Sequence, residues 1–289
     1  MTGQAVTRMM VDGRRLHMQH GPMDIIAEAF GAEDEIAKAY KQGSDFFQTV
    51  LEVLVSDLDD LKKSIDPNQV PEFKGIALAM WRAAHLFSEN RYVTPMAAVA
   101  GAVADGVKHA MLNGRHLEKL YVNNGGDISL HLSGQATFSS AIIEDQDRPC
   151  VNAKLIVRAE DNISGVATSG WRGRSFSRGI ADAVTVLAKT AAKADVAATL
   201  IANDVFISSP SVQQEPANSL RDDTDLGNLP VTVNVGELSP FEISTALQNG
   251  LDTAQIFLNM GLIDGAYLSL QGQRKTVSIN KTIWERDAA

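Results

Sequence analysis

Residues 117–133 read LEKLYVNNGGDISLHLS. Two runs of alternating character, LEKLYVNN and DISLHLS, flank the pair Gly125 and Gly126. Apolar residues at every second position line one face of a strand, and Asn-Asn-Gly-Gly is turn chemistry. At this stretch the period of the chain changes. Upstream, apolar residues recur at helical spacing; downstream, short alternating runs dominate. Helices and strands therefore come in separate runs, without sustained β-α-β alternation. That pattern predicts an α+β fold, a layer of helices on a mainly antiparallel sheet, with residues 1–289 forming a single domain.

Working outward, residues 5–20 read as two short strands around the VDGR turn. Helical periodicity is read over 21–64, where Phe46, Val50, Val53, Leu54, Leu58 and Leu61 share a spacing and Gly43 marks a break. Residues 65–71 form a loop. Helices follow over 74–89 and 95–113, the second opened by Pro95. Beyond the central stretch, 152–160, 164–170 and 181–188 read as strands, and 190–203 as an alanine-rich helix. A polar loop spans 208–230, a strand 231–236, and a helix 239–261 begins with Ser239 as cap and Pro240 in its first turn. A hairpin over 266–280 completes the order.

The 289 residues are 45% hydrophobic and 21% charged, with a formal charge of −9. This composition supports a sizeable core. The acidic balance, without an extended Lys/Arg cluster, excludes a general nucleic-acid binder. No window has the length of apolar sequence that spans a membrane, and the first twenty residues lack a secretory apolar region. The single Cys150 suits a reducing compartment. The expectation is a cytoplasmic protein.

Candidate chemistry centres on TAAKADVAATLIAND, 190–204. Asp195 and Thr199 stand four apart, so on a helix they share one face. A carboxylate and a hydroxyl together are oxygen donors of the kind Mg²⁺ takes; the alternative is a helix-capping Asp and a Thr bonded to its own helix. Gly125 and Gly126 either admit a nucleotide close to the backbone or simply make a turn. Asp127 orients a ligand or caps that turn. Thr168, Ser169 and Gly170 offer hydroxyls and an amide, and Arg172 and Arg174 either reach a phosphate or lie in a solvated loop. Cys150 follows Arg148, which favours a thiolate, but Glu144, Asp145 and Asp147 oppose it, so an ordinary thiol is expected. His109, His116 and His131 lack zinc-ligand spacing, and no P-loop or G-x-S-x-G occurs.

NNGGDI (123–128), GVATSG (165–170), DAVTVLA (182–188) and ADVAAT (194–199), in that order, resemble the signatures of the ApbE superfamily of flavin transferases. VAGAVAD (99–105) resembles the family's K-G-x-x-x-D helix, with Gly101 and Asp105 in place. The resemblance implies the T-fold of that family, an FAD or FMN ligand, and Mg²⁺ on the pyrophosphate. It makes Asp195 and Thr199 side-chain metal ligands and Ala97 a carbonyl ligand. Gly125, Gly126, Asp127, Thr168, Ser169 and Gly170 would then meet the nucleotide. The departures are Ala100 where the family has Lys, and WRGRSFSRGIAD (171–182) where it has H-x-x-D-P-x-T-G, Arg178 standing roughly at the histidine. Two readings follow: a metal-dependent protein acting on or binding a small nucleotide, either as an FMN transferase or as an FAD pyrophosphatase, and a non-catalytic binding or sulfur-carrier protein using Cys150.

Overall fold

The computed structural model describes residues 4–142, 153–279 and 284–286; Cys150 and its acidic neighbours lie outside them. In chain order the strands and the helices longer than one turn are β1 (Val6–Met9), β2 (Leu16–His20), β3 (Met23–Gly31), α1 (Glu33–Ser56), α2 (Gly75–His85), α3 (Val99–Leu112), β4 (Leu117–Asn124) and β5 (Asp127–Leu132). There follow β6 (Thr137–Ile142), β7 (Ala153–Arg158), β8 (Gly165–Ser169), β9 (Ala183–Ala188), α4 (Ala191–Asp204), β10 (Val212–Pro216) and β11 (Pro230–Val235). Last come α5 (Pro240–Asn259), β12 (Gly265–Leu270), β13 (Gln273–Ser278) and β14 (Trp284–Arg286). The α+β class is as expected. These elements group into two compact units, the first comprising the chain up to Thr137 with Arg158–Ala167 and Lys189–Asp195, the second the remainder.

In the first unit β1, β2, β3, β4, β5 and β8 pair antiparallel in that spatial order. The register places Met18 opposite Ile25 and Ala27 opposite Val122. With Leu120 these side chains form one fully buried face, on which α1 and α3 pack. Gly125 and Gly126 make the two-residue loop of the β4–β5 hairpin, at φ of 66° and 116°. Positive φ at both positions is what such a loop requires, and glycine adopts it without steric cost.

Three readings of the sequence are corrected. Residues 23–31 are a strand, not the start of a helix. Met23, Ile25, Ala27 and Ala29 are buried at every second position, and pairing with β2 and β4 on both sides outweighs the helical propensity of the alanines and Glu28. Gly43 breaks nothing: α1 is continuous from Glu33 to Ser56. Gly43 lets α1 approach α3, since a Cβ there would stand 2.6 Å from Met111 Cγ. Within 208–230, β10 and a one-turn helix, Ala217–Leu220, interrupt the loop. β10 forms a two-stranded ribbon with β11 and buries little of its polar sequence VQQEP, so its signal lay in pairing rather than apolar pattern. β6, absent from the sequence reading, pairs with β7 in a small sheet that also holds β14.

In the second unit β9 and β12 pair antiparallel and are buried at every position; β13 closes a hairpin with β12. α5 packs on that hairpin. It begins as expected, with Pro240 in the first turn and a capping box in which Ser239 and Glu242 satisfy each other's backbone N–H.

In the first unit the backbone of α3 comes very close to the first turn of α4. A Cβ on Gly101 would lie 2.3 Å from the Ala191 carbonyl oxygen and 2.7 Å from Ala192 N. Neither atom can rotate away. Gly101→Ala is therefore expected to cost about 3 kcal/mol or more by overpacking. Gly43→Ala meets only a flexible Met side chain and gains helix propensity, so it should stay within about 1 kcal/mol of wild type. Urea unfolding of the two variants checks the contrast; equal losses would refute it.

Candidate functional site

A helix begins with backbone N–H groups that have no partner within it. Ala98, at the cap position of α3, provides no side-chain hydrogen bond. The partner comes from α4: Asp195 Oδ2 accepts from Gly101 N at 2.9 Å, and Ala100 N–H also bonds the same carboxylate. The reverse arrangement holds for α4. Asp105 of α3 accepts from Ala191 N at 3.2 Å and from Ala192 N at 3.0 Å. Lys193 N donates to Thr190 Oγ1 at 3.2 Å, and Ala194 N to Thr190 O at 3.1 Å. The opening N–H groups of α4 are thus all satisfied. The capping reading of Asp195 needs correction. Thr190 caps α4, and Asp195, a turn further in, caps α3.

The two carboxylates differ in their surroundings. Asp105 is buried, 7% exposed, and also accepts a short bond from Ser129 Oγ. Lys108, itself 6% exposed, places its Nζ 3.6 Å away. Burial pulls the Lys108 ammonium below its ordinary range, and Asp105 works against that shift. Asp195 faces the opposite balance. Burial pushes its proton affinity well above the ordinary carboxylate range, and the charge of Asp127 adds to the rise. The N–H groups of Gly101 and Ala100 offset part of it, and Asp105 raises it further.

The β4–β5 hairpin supplies this environment. Asn124, 4% exposed, donates to the Ala100 carbonyl at 3.1 Å. Asn123 Oδ1 accepts from Gly126 N at 2.8 Å and braces the loop. Asp127 follows directly. The space in front of Gly126 is open, with no atom within 4 Å of a Cβ built there. The glycines thus have a conformational duty as a turn, and their outer side remains accessible.

The structure brings Asp195, Asp127 and the start of α3 together, with Ala97 in the 3-10 turn Pro95–Ala98 that leads into it. Thr199 lies one turn beyond Asp195 on α4. Thr168, Ser169 and Gly170 belong to the second unit. There Thr168 Oγ1 shares a 2.9 Å hydrogen bond with Thr185 Oγ1, and Gly170 leaves no room for a Cβ, 2.3 Å from the Asp182 carbonyl oxygen. Arg172 lies over the Trp171 ring at 4.4 Å and 3.7 Å from Asp182, so it already has partners; Arg174 is exposed. Arg178 Nε is buried with no hydrogen-bond partner among the described residues. Among those residues no group of three His, Cys, Asp or Glu could hold a metal. A cation here depends on Asp195, hydroxyl and backbone oxygens. That donor set fits Mg²⁺ rather than zinc. The sequence reading missed Lys108, Asn124 and Ser129; a charge pair one turn apart in the alanine-rich α3 was the available signal.

The family model described as AbpE bacteria matches residues 7–276. The chain belongs to this family. It is 34% identical over 149 residues to a UPF0280 protein of Methanopyrus kandleri, covering 51% of this chain and 56% of that one. A UPF0280 protein of Methanococcus vannielii is 40% identical over 117 residues, covering 40% and 47%. The chain spans about half the length of these curated relatives. Among solved structures, it is similar to the ApbE protein of Thermotoga maritima, with a TM-score of 0.47 and 13% identity over 96% of this chain and 97% of that one. It is also similar to the flavinyl transferase ApbE of Pseudomonas stutzeri in its apo form, with a TM-score of 0.39 and 15% identity over 96% and 94%. Among the described residues no helix of this ApbE-like chain is long and apolar enough to cross a membrane.

The raised proton affinity of Asp195 has a definite sign. A carboxylate that binds its proton more tightly folded than unfolded favours folding at low pH, and that contribution is lost as pH rises through the raised value. In chelator, wild type should therefore gain stability relative to Asp195→Asn as pH falls from the alkaline side toward the ordinary carboxylate range. Denaturant midpoints of both proteins across that range test this; a pH-independent difference would contradict the environment described.

Proposed function

We propose that this ApbE-like protein binds a divalent cation at Asp195 and, through it, a flavin nucleotide. The observation that carries the reading is a half-buried carboxylate held at the start of α3 by the Gly101 N–H at 2.9 Å, with the charge of Asp127 near enough to oppose its own. Two neighbouring carboxylates, one desolvated, are stabilised when a cation neutralises them. Family membership supplies the flavin part of the reading.

In this reading Asp195 is the charged ligand, Thr199 the hydroxyl ligand one turn along, and the Ala97 carbonyl a third oxygen. Bound Mg²⁺ keeps waters and takes phosphate oxygens, and would polarise a pyrophosphate as a Lewis acid. The residues of this chain do the positioning. Gly101 and Ala100 N–H groups fix the carboxylate, Asn124 fixes the hairpin, and Gly125 and Gly126 leave backbone accessible to the nucleotide beside Asp127. Thr168, Ser169 and Gly170 are further nucleotide contacts on the resemblance alone. The compartment proposed is the cytoplasm.

Titration calorimetry with MnCl₂ and MgCl₂ tests the cation. Wild type should bind, and Asp195→Asn, which keeps an oxygen for Gly101 N–H, should lose affinity by about tenfold or more, as for a lost charged ligand. Equal affinity in the two proteins would remove the assignment.

Binding need not carry transferase chemistry. Ala100 offers the site a carbonyl and an N–H but no cation, and residues 171–182 contain no histidine. Incubation with FAD, Mg²⁺ and a family-type threonine peptide should leave the peptide unmodified. A flavinyl adduct in its mass spectrum would overturn this expectation.

A further inference from the structure

A groove of about 1160 Å³ opens among the helices of the first unit. Its apolar wall includes Phe46 of α1, Ile76, Leu78 and Trp81 of α2, Leu86 just beyond α2, and Leu112 of α3. It is distinct from the Asp195 site: neither Asp195, Asp127, Ala97 nor the Gly125–Gly126 loop lines it. α3 turns Gly101 to α4 and Ala102, Gly106 and His109 to the groove, with Asp105 at the boundary.

The charge of this lining runs against that of the chain. Asp and Glu outnumber Lys and Arg by 35 to 26 overall, yet the groove is lined by Arg82, Lys193, His85 and His109 and by one acid, Asp105. That acid is already engaged by Ala191 N, Ala192 N, Ser129 and Lys108. Neither Arg82 nor Lys193 has an ion pair among the described residues. A flat surface completes the lining: the Trp81 and His85 rings stack 4.5 Å apart at 13°. His85 Nδ1 is buried without a hydrogen-bond partner among the described residues, a state proteins seldom leave uncompensated.

We infer that this groove is a second ligand site, for a small molecule with an aromatic, apolar body and one anionic group. The apolar wall and the stacked rings take the body. Arg82 and Lys193 take the anion. The volume lies just above the roughly 300–1,000 Å³ of ordinary small-molecule sites, so the groove has room for such a ligand.

The probe is 8-anilinonaphthalene-1-sulfonate, an aromatic sulfonate whose fluorescence rises in apolar sites. Its neutral counterpart, N-phenyl-1-naphthylamine, isolates the charge. Wild type should bind one equivalent of the sulfonate. The double variant Arg82→Gln, Lys193→Gln should bind it about tenfold or more weakly, a loss of about 1.4 kcal/mol, while binding the neutral probe as wild type does. Ala79→Trp, at an exposed lining position of α2, should fill the groove and abolish sulfonate binding. Unchanged far-UV circular dichroism and urea midpoints confirm that the variants are folded. Sulfonate binding that survives Ala79→Trp, or is unaltered in the double variant, overturns the inference. Displacement of the sulfonate by FAD with Mg²⁺ overturns it as well, because groove and nucleotide site would then be one. Loss of Mn²⁺ binding in Asp195→Asn is read separately, and its failure leaves the groove untouched.

Discussion

Each of two helices caps the other. Asp195 of α4 takes the N–H groups of Ala100 and Gly101 at the start of α3, and Asp105 of α3 takes those of Ala191 and Ala192 at the start of α4. Both helix starts carry partial positive charge, so carboxylates are favoured there. The exchange needs close contact, and Gly101 permits it by leaving the Ala191 carbonyl no side chain to clear. Because α3 also packs on β4 and β5, the same contact ties the first turn of α4 to that sheet. Asn124 bonds the Ala100 carbonyl and so holds the Gly125–Gly126 hairpin beside the junction.

The exchange is symmetrical in its hydrogen bonds but not in its electrostatics. Asp105 has a buried ammonium and a buried hydroxyl beside it. It is a structural charge, compensated within its own helix and the adjoining strand. Asp195 has backbone donors from Gly101 and Ala100, and the charge of Asp127 opposes its own. Two carboxylates with the same capping task are thereby separated in role. This difference follows from the neighbours of each carboxylate rather than from its own helix.

This gives the motifs of the ApbE-like family a physical basis in this chain. The glycine and aspartate of VAGAVAD are one turn apart because one admits α4 and the other caps it. The aspartate of ADVAAT is a turn inside its helix because it reaches the start of another. Ala100 uses both its backbone groups at the junction but adds no charge.

Much of the fold was legible because helix and strand periods are local properties. The LEKLYVNNGGDISLHLS hairpin, the alanine-rich helix, the Ser239–Pro240 start and the closing hairpin all carried their signals within a few residues. Asp195 stood out by sequence as a carboxylate in an apolar helix, next to a hydroxyl one turn away. What it does with its oxygens was not legible, because its partners lie 94 residues earlier in the chain. The same distance effect explains the misreadings. Residues 23–31 became a strand through pairing on both edges, Gly43 proved a helix contact, and the VQQEP strand exists only through its partner. Local sequence determined the periodic helices, the alternating strands and the turns with glycine or proline signals. Tertiary structure alone decided which helix start receives which carboxylate and which carboxylate is left opposed, because capping partners and electric fields depend on distance in space.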